Sequence, residues 1–144
     1  MAHTDTTELL KQCDQGVRMG IDAISDMLPK VDDEKLKDLL RKFSDRHNDI
    51  KIELDEMLES HGLKSETPNI MAKSIAEMKT DFKMMIKKDD KTAADLMTDG
   101  CDMGMKTLTK YLNEYEGAEE KAKDMARRII KIEEDFEKAL REYL

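Results

Sequence analysis

Apolar residues recur along most of this chain at alternating spacings of three and four, the spacing of one helical face. Segments with such a stripe predict helices at about 6–28, 33–60, 68–87, 90–115 and 118–144. In the first helix the stripe is Leu10, Cys13, Val17, Gly20, Ile24 and Met27. No segment keeps the period-two alternation of a half-buried strand, so the pattern predicts an all-α protein.

The chain also contains an internal repeat. Residues 13–31 recur at 97–115, and both copies contain the motif Gly-x-x-Met-Gly. After two extra residues, the match resumes between 33–58 and 119–144. A match of this length indicates that one helical hairpin has been duplicated.

The helix predicted at 68–87 has no counterpart in the repeat and separates its two halves, about 6–60 and 90–144. About 18 residues rising about 1.5 Å each span about 27 Å, which is close to the length of such a bundle. A connection of that length can carry the chain from one end to the other. We therefore expect a single domain over 1–144, an up-down-down-up four-helix bundle with an additional crossover helix.

Composition narrows the class of protein. Charged residues make up 40% and apolar residues 39% of the chain, as expected for amphipathic helices with solvated outer faces. The net charge of −8 argues against binding to a nucleic-acid backbone. No apolar run approaches the roughly 18 residues of a membrane span, and no signal-peptide pattern is present. We expect a cytoplasmic protein that binds neither nucleic acid nor membrane.

The sulfur-containing residues fit a packed core. Cys13 and Cys101 both fall on apolar stripes, so buried free thiols are predicted rather than a disulfide. The chain has 12 methionines and no tryptophan. Storage of a soft metal such as copper is one interpretation, and adaptable filling of an aromatic-poor core is the simpler one.

Three stretches carry a resemblance to a known family. They are Met19-Gly20-Ile21-Asp22, the run from Leu28 to Leu36, and Met103-Gly104. Over nearly its whole length the chain resembles a bacterial ferritin-like family whose function is uncharacterised. The resemblance implies a ferritin-like fold and supplies no activity, catalytic residue or substrate.

The ligands of a ferritin-like di-iron centre are not complete in this sequence. Such centres use four carboxylates and two histidines, with a Glu-x-x-His pair on each of two helices. His47 is the mid-helix histidine, but Ser44 stands three residues before it, and its repeat equivalent is Glu133. The helices that should each supply a single glutamate have Val17 and Cys101 in the middle of their stripes.

His47 and Glu133 nevertheless interrupt apolar stripes at equivalent positions, so we expect them to face each other near the bundle centre. One interpretation is a buried ionic or hydrogen-bonded pair that sets helix register. The other is a degenerate site for Fe, Mn or another divalent metal, with His47, Glu133 and Glu134 as candidate ligands. No catalytic residue and no organic cofactor is predicted.

Four glycines lie inside predicted helices, at Gly16, Gly20, Gly100 and Gly104. A mid-helix glycine costs about 1 kcal/mol relative to alanine, so these positions require a compensating contact. We expect the first helix and its repeat copy to cross closely at the glycines, within one chain or across a homodimer.

The sequence therefore favours a non-catalytic structural or protein-interaction module, self-associating through an apolar or glycine-rich helix face. The alternative is a metal-binding protein, either a degenerate ferritin-like oxidase or a metal store, with its site near His47 and Glu133. A third interpretation is a small-molecule binder that uses space beside the glycines.

Overall fold

The structure, a computed structural model, describes residues 2–64 and 89–144. Helix α1 spans Ala2–Met27, α2 spans Glu34–Ser60, α3 spans Asp90–Glu114 and α4 spans Glu120–Leu140. Within the described ranges there is no strand, which confirms the all-α prediction. The helix predicted at 68–87 lies outside the described residues. None of the four described helices is both long enough and apolar enough to cross a bilayer.

Aspartate side chains cap the starts of α2 and α3. The Asp33 carboxylate accepts hydrogen bonds from the backbone N–H groups of Lys35, at 2.7 Å, and Leu36, at 3.1 Å. The Asp89 carboxylate accepts one from the N–H of Thr92 at 2.8 Å. These bonds satisfy donors that have no partner within the helix, so both starts are fixed locally.

The ends of the first two helices have equally local causes. Helix α1 ends at Met27, where Pro29 belongs to a short 3-10 turn over Leu28–Lys30. Beyond α2, Gly62 has a φ of +69°, and the N–H of Leu63 donates to the carbonyl of Leu58 at 2.9 Å. This is the Schellman ending, in which glycine adopts a left-handed conformation without steric cost.

The buried side of each helix is the predicted stripe. The stripe residues that form the core include Leu10, Cys13, Val17, Ile24 and Met27 from α1, Leu36, Leu40, Phe43, Ile50 and Leu54 from α2, Met97, Cys101 and Leu108 from α3, and Ala126, Ile129, Phe136 and Leu140 from α4. The rings of Phe43 and Phe136 stack between α2 and α4, with centroids 4.5 Å apart. Methionines from three helices, Met27, Met97 and Met125, are also enclosed, which agrees with their use as core filler.

Contacts at the two ends give the helix directions. The N–H groups of Asp32 and Asp33, at the start of α2, donate to the carboxylate of Asp90 at 2.9 and 2.8 Å. The starts of α2 and α3 therefore lie at the same end. At the other end, the N–H of Glu119, just before α4, donates to the hydroxyl of Thr6 in α1 at 2.8 Å. Helices α1 and α4 thus run in one direction and α2 and α3 in the opposite one.

Candidate functional site

A buried histidine–glutamate pair occupies the centre of the bundle. His47 projects from the middle of α2 and is 1% exposed, and Glu133 projects from α4 and is 9% exposed. Nε2 of His47 is hydrogen-bonded to Oε1 of Glu133. Nδ1 of His47 lies 2.6 Å from the backbone carbonyl of Phe43, which only accepts, so Nδ1 carries a hydrogen. The contact expected from the repeat is confirmed.

The electrostatics of the pair favour a charged histidine. Burial by itself lowers the pKa of His47, but the hydrogen bond and negative charge of Glu133 and the Phe43 carbonyl act in the opposite direction. The net effect raises the pKa of His47 above its ordinary value. When His47 is protonated, both ring nitrogens donate, and the imidazolium lies against the Glu133 side chain in a low-dielectric interior.

Beside the pair, α2 and α4 contribute an aromatic ring and a charged side chain. The Phe136 ring meets the His47 ring edge-on, with centroids 6.3 Å apart. Arg46 comes one residue before His47 on α2, and a nitrogen of its guanidinium lies 3.1 Å from a carboxylate oxygen of Asp135. Its charge lowers the pKa of His47, but it acts less strongly than Glu133. Glu133 is thus the partner that neutralises the buried histidine.

Glycines from α1 and α3 enclose the pair. A Cβ atom at Gly20 would lie 2.8 Å from Cδ2 and Nε2 of His47, a distance that the ring could accept only by moving. A Cβ atom at Gly104 would lie 3.7 Å from Cγ of Glu133, which is ordinary van der Waals contact. Within one chain, the atoms nearest to the inner glycines therefore belong to side chains of α2 and α4 rather than to the facing glycine helix, and a close crossing between two chains stays a prediction.

The outer glycines of each motif have a different environment. Among the described residues 2–64 and 89–144, nothing lies within 4 Å of a Cβ atom placed at Gly16 or Gly100. Met19 and Met103, three residues further on, are 39% and 68% exposed. Residues three apart are neighbours on a helix surface, so each outer glycine adjoins an exposed methionine. We call these four residues the Gly–Met face. Sequence reasoning missed it, although the repeat of Met-Gly in both halves was a signal for it.

Both cysteines are buried and free, as predicted. Burial, followed by the charge of Asp14, raises the pKa of Cys13 to about 12. Burial also raises the pKa of Cys101, and Glu133 adds to the effect through its charge and a hydrogen bond. Cys101 therefore lies next to the pair as a protonated thiol, and neither cysteine provides a reactive thiolate.

The described residues do not bring together the ligand set of a di-iron centre. Val17 and Cys101 are fully enclosed where the single glutamates would be required. Glu134, the third candidate ligand, binds Lys138 at 2.9 Å on the surface, and that hydrogen bond lowers the pKa of Glu134. Among the residues that the structure describes, no three His, Cys, Asp or Glu side chains are grouped so that they could hold a metal ion.

Two open clefts between α2 and α4 are lined mainly by charged side chains. Arg128 and Glu53, which line both clefts, form a bidentate ion pair with a shorter distance of 2.5 Å. His61 is partly buried, and its Nε2 lies 3.3 Å from a carboxylate oxygen of Glu119. In the second cleft, Oγ of Ser60 lies 3.2 Å from Nδ1 of His61, but Nδ1 also lies 2.9 Å from the carbonyl of Met57, which only accepts, so Nδ1 carries a hydrogen and is not a base for the serine.

The fold and the site define a helical bundle with a buried ion pair at its centre. Residues 5–114, about three quarters of the chain, match the family described as a domain of unknown function (DUF2383). The chain belongs to this family, which confirms the resemblance to a family of uncharacterised function. The match includes His47 and ends before Glu133. No curated protein and no solved structure matches the chain.

Proposed function

We propose that this protein is a non-catalytic, ferritin-like helical bundle that serves as a structural or protein-interaction module and lacks a di-iron site. We further assign its interaction surface to the Gly–Met face and its partner to a second copy of the chain. The observation that carries the proposal is the pairing of an open glycine with an exposed methionine on both α1 and α3.

The positions of the helix ends support a ferritin-like crossover. At the end of α2, His61 lies 3.3 Å from Glu119, so the chain leaves the first hairpin where α4 begins. It enters α3 beside Asp33, at the opposite end. The end of α2 and the start of α3 therefore lie at opposite ends of the bundle, which is the arrangement that a ferritin-like topology requires.

The buried pair is better suited to a structural role than to catalysis. Nδ1 of His47 is occupied by a backbone carbonyl and Nε2 by Glu133. An incoming metal ion or substrate proton would have to displace one of these partners. The pair links α2 of the first hairpin to α4 of the second, so it favours the register in which these two groups meet.

The outer glycines point to close approach by another helix. Each costs about 1 kcal/mol relative to alanine, and no contact within the described part of the chain compensates that cost. A surface without Cβ atoms allows another backbone or a flexible side chain to come close. Methionine is well suited to fill such an irregular space.

A second copy of the chain is the partner that this face fits. The face provides both a projecting methionine and an open glycine, and a twofold interface places the same residues on both sides. Helices α1 and α3 pack side by side and contain 26 and 25 residues. At about 1.5 Å per residue and about 10 Å width each, they present roughly 800 Å², which is about what each partner buries in a standard interface.

The mass in solution tests this proposal directly. Light scattering coupled to gel filtration should give twice the mass of one chain, and a variant with both Met19→Asp and Met103→Asp should give the mass of one. Ile52→Asp is the matched control, because Ile52 is 61% exposed on α2, away from the face, and should leave the dimer intact. A wild-type protein that is monomeric at all concentrations would show that the proposed interface is wrong.

Metal binding is the competing function, since His47 and Glu133 supply two ligands of types that divalent metals accept. It predicts Fe, Mn or another divalent metal near one equivalent in protein purified without chelators. It also predicts loss of that metal in Glu133→Gln. Elemental analysis of the wild-type protein and of Glu133→Gln tests whether metal binds at the pair. An equal metal content in the two proteins would contradict a metal site there.

A further inference from the structure

Among the described methionines, Met57 and Met105 are partly buried, and the other five form two groups that differ sharply in access to solvent. Met103 is 68% and Met19 is 39% exposed, whereas Met27, Met97 and Met125 are 1%, 7% and 2% exposed. Oxidation of a thioether requires contact between the sulfur and the oxidant, so in the single chain the first group is open to this chemistry and the second is protected. The exposed pair occupies equivalent positions in the two repeat halves and belongs to the Gly–Met face.

We infer that Met19 and Met103 are oxidative modification sites of the dissociated chain, and that hydrogen peroxide, by converting them to sulfoxides there, prevents the two copies from re-associating. This inference rests on the proposed self-association. The sulfur lone pair attacks one peroxide oxygen, the O–O bond breaks and an S–O bond forms. The sulfur loses two electrons, and the departing hydroxide takes up the proton of the transferred hydroxyl to become water.

The effect on association follows from the change in polarity. A methionine sulfur needs no hydrogen bond when it is buried, whereas a sulfoxide oxygen is a strong acceptor. Burying that oxygen against a surface of glycines and methionines would leave it unsatisfied, which is unfavourable. The fold itself should be retained, because the core methionines are enclosed and the modified ones already face solvent.

Cysteine chemistry does not compete at these positions. Cys13 and Cys101 are buried, and burial raises the pKa of both thiols. Peroxide reacts with the thiolate rather than the thiol, so these two side chains are poor targets. Oxidation of the described part of the chain is therefore directed to the surface methionines.

Peptide mapping after limited treatment of the full-length protein with hydrogen peroxide tests the sites. Sulfoxide should accumulate first at Met103 and next at Met19, and each should be modified at least about tenfold faster than Met27, Met97 and Met125. Circular dichroism should remain unchanged. Oxidation of Met27 at the same rate as Met103 would overturn the inference, whatever the state of association.

Light scattering on the same samples tests the consequence. The treated protein should fall from two copies to one, while a variant with Met19→Leu and Met103→Leu should stay dimeric before and after treatment. Leucine is apolar and of similar volume but cannot form a sulfoxide. A dimer that persists after complete oxidation of both methionines would overturn this inference alone, as would dissociation of the leucine variant by peroxide. An untreated protein that is monomeric would overturn the proposed function as well.

Discussion

The two repeat halves place a glycine of the same motif against the same buried pair, but at different distances. A Cβ atom at Gly20 would lie 2.8 Å from the His47 ring, whereas one at Gly104 would lie 3.7 Å from the nearest atom of Glu133. The reason is that the first half contributes a rigid ring and the second an unbranched side chain. Duplication thus kept the helix geometry, while the centre became asymmetric, with a base from one copy and an acid from the other.

The largest expected effect comes from removing the acid. Glu133→Gln leaves the His47 imidazolium without a charged partner in the interior, and loss of one member of a buried ion pair destabilises by about 3–5 kcal/mol. Urea unfolding near neutral pH measures this change. The neighbouring Glu134→Gln is the matched control, since Glu134 is exposed and pairs with Lys138 on the surface. That control should leave the free energy of unfolding nearly unchanged, because ion pairs at the surface contribute little.

A double substitution checks the interpretation. Replacing His47 and Glu133 together by leucine removes both buried charges, and such replacements are often neutral or stabilising. The double variant should therefore be more stable than Glu133→Gln alone. If both proteins lost the same stability, the ion pair would not be the source of the effect.

The next largest effect separates the two inner glycines. Gly20→Ala forces the His47 ring away from Glu133 and should destabilise by about 1–3 kcal/mol, as overpacking of a core usually does. Gly104→Ala meets only ordinary contact and should gain up to about 1 kcal/mol from helix propensity. Thermal and urea unfolding of the two variants provide the comparison. Equal changes in the free energy of unfolding for Gly20→Ala and Gly104→Ala would show that the two halves enclose the pair symmetrically.

Much of the fold could be predicted because its causes are local. The spacing of Leu36, Leu40 and Phe43 fixes the buried face of α2, and Asp33 and Gly62 mark its limits by capping. Helix α1 begins earlier than predicted, at Ala2 rather than near Thr6. Residues at a helix start depend on contacts elsewhere, in this case the bond between Thr6 and the chain before α4.

The candidate site could be predicted from the sequence only where the repeat showed that two positions are equivalent. Equivalence of His47 and Glu133 predicted that they meet, because related positions of a pseudo-twofold bundle face each other. The role of the glycines could not be predicted in the same way. A spacing of four residues does not fix the rotation of the helix about its axis. It therefore does not determine whether Gly16 or Gly20 faces the core, and the sequence pattern predicts the same role for both glycines.

The pH dependence of stability should also reflect the asymmetric centre. The folded state raises the pKa of His47 above its ordinary value of 6.5, so the folded protein holds this proton more tightly. The associated stability is fully present below pH 6.5 and is lost as the pH rises through the folded-state pKa. One such group changes the free energy of unfolding by at most about 1.4 kcal/mol per pH unit.

Urea unfolding at a series of pH values between the ordinary pKa values of histidine, 6.5, and of the thiols, 9.0, isolates this group. Above that window the buried cysteines contribute in the same direction. The variant with leucine at both His47 and Glu133 should lose the slope. A slope that persists in that variant would assign the titration to another residue.

The smallest effects on stability are expected for alanine substitutions at the outer glycines. These substitutions should stabilise the single folded chain but weaken the association of two chains. A Cβ atom at Gly16 or Gly100 meets no atom of the described part of the chain within 4 Å, so Gly16→Ala and Gly100→Ala should each stabilise the folded chain by up to about 1 kcal/mol. The same substitutions fill the space that the second copy is proposed to use, and they should shift light scattering toward the single chain. Gly104→Ala, which adds a methyl group at an inner position, should gain stability without that shift. An outer variant that is more stable and still dimeric would mean that these glycines do not form the contact between copies.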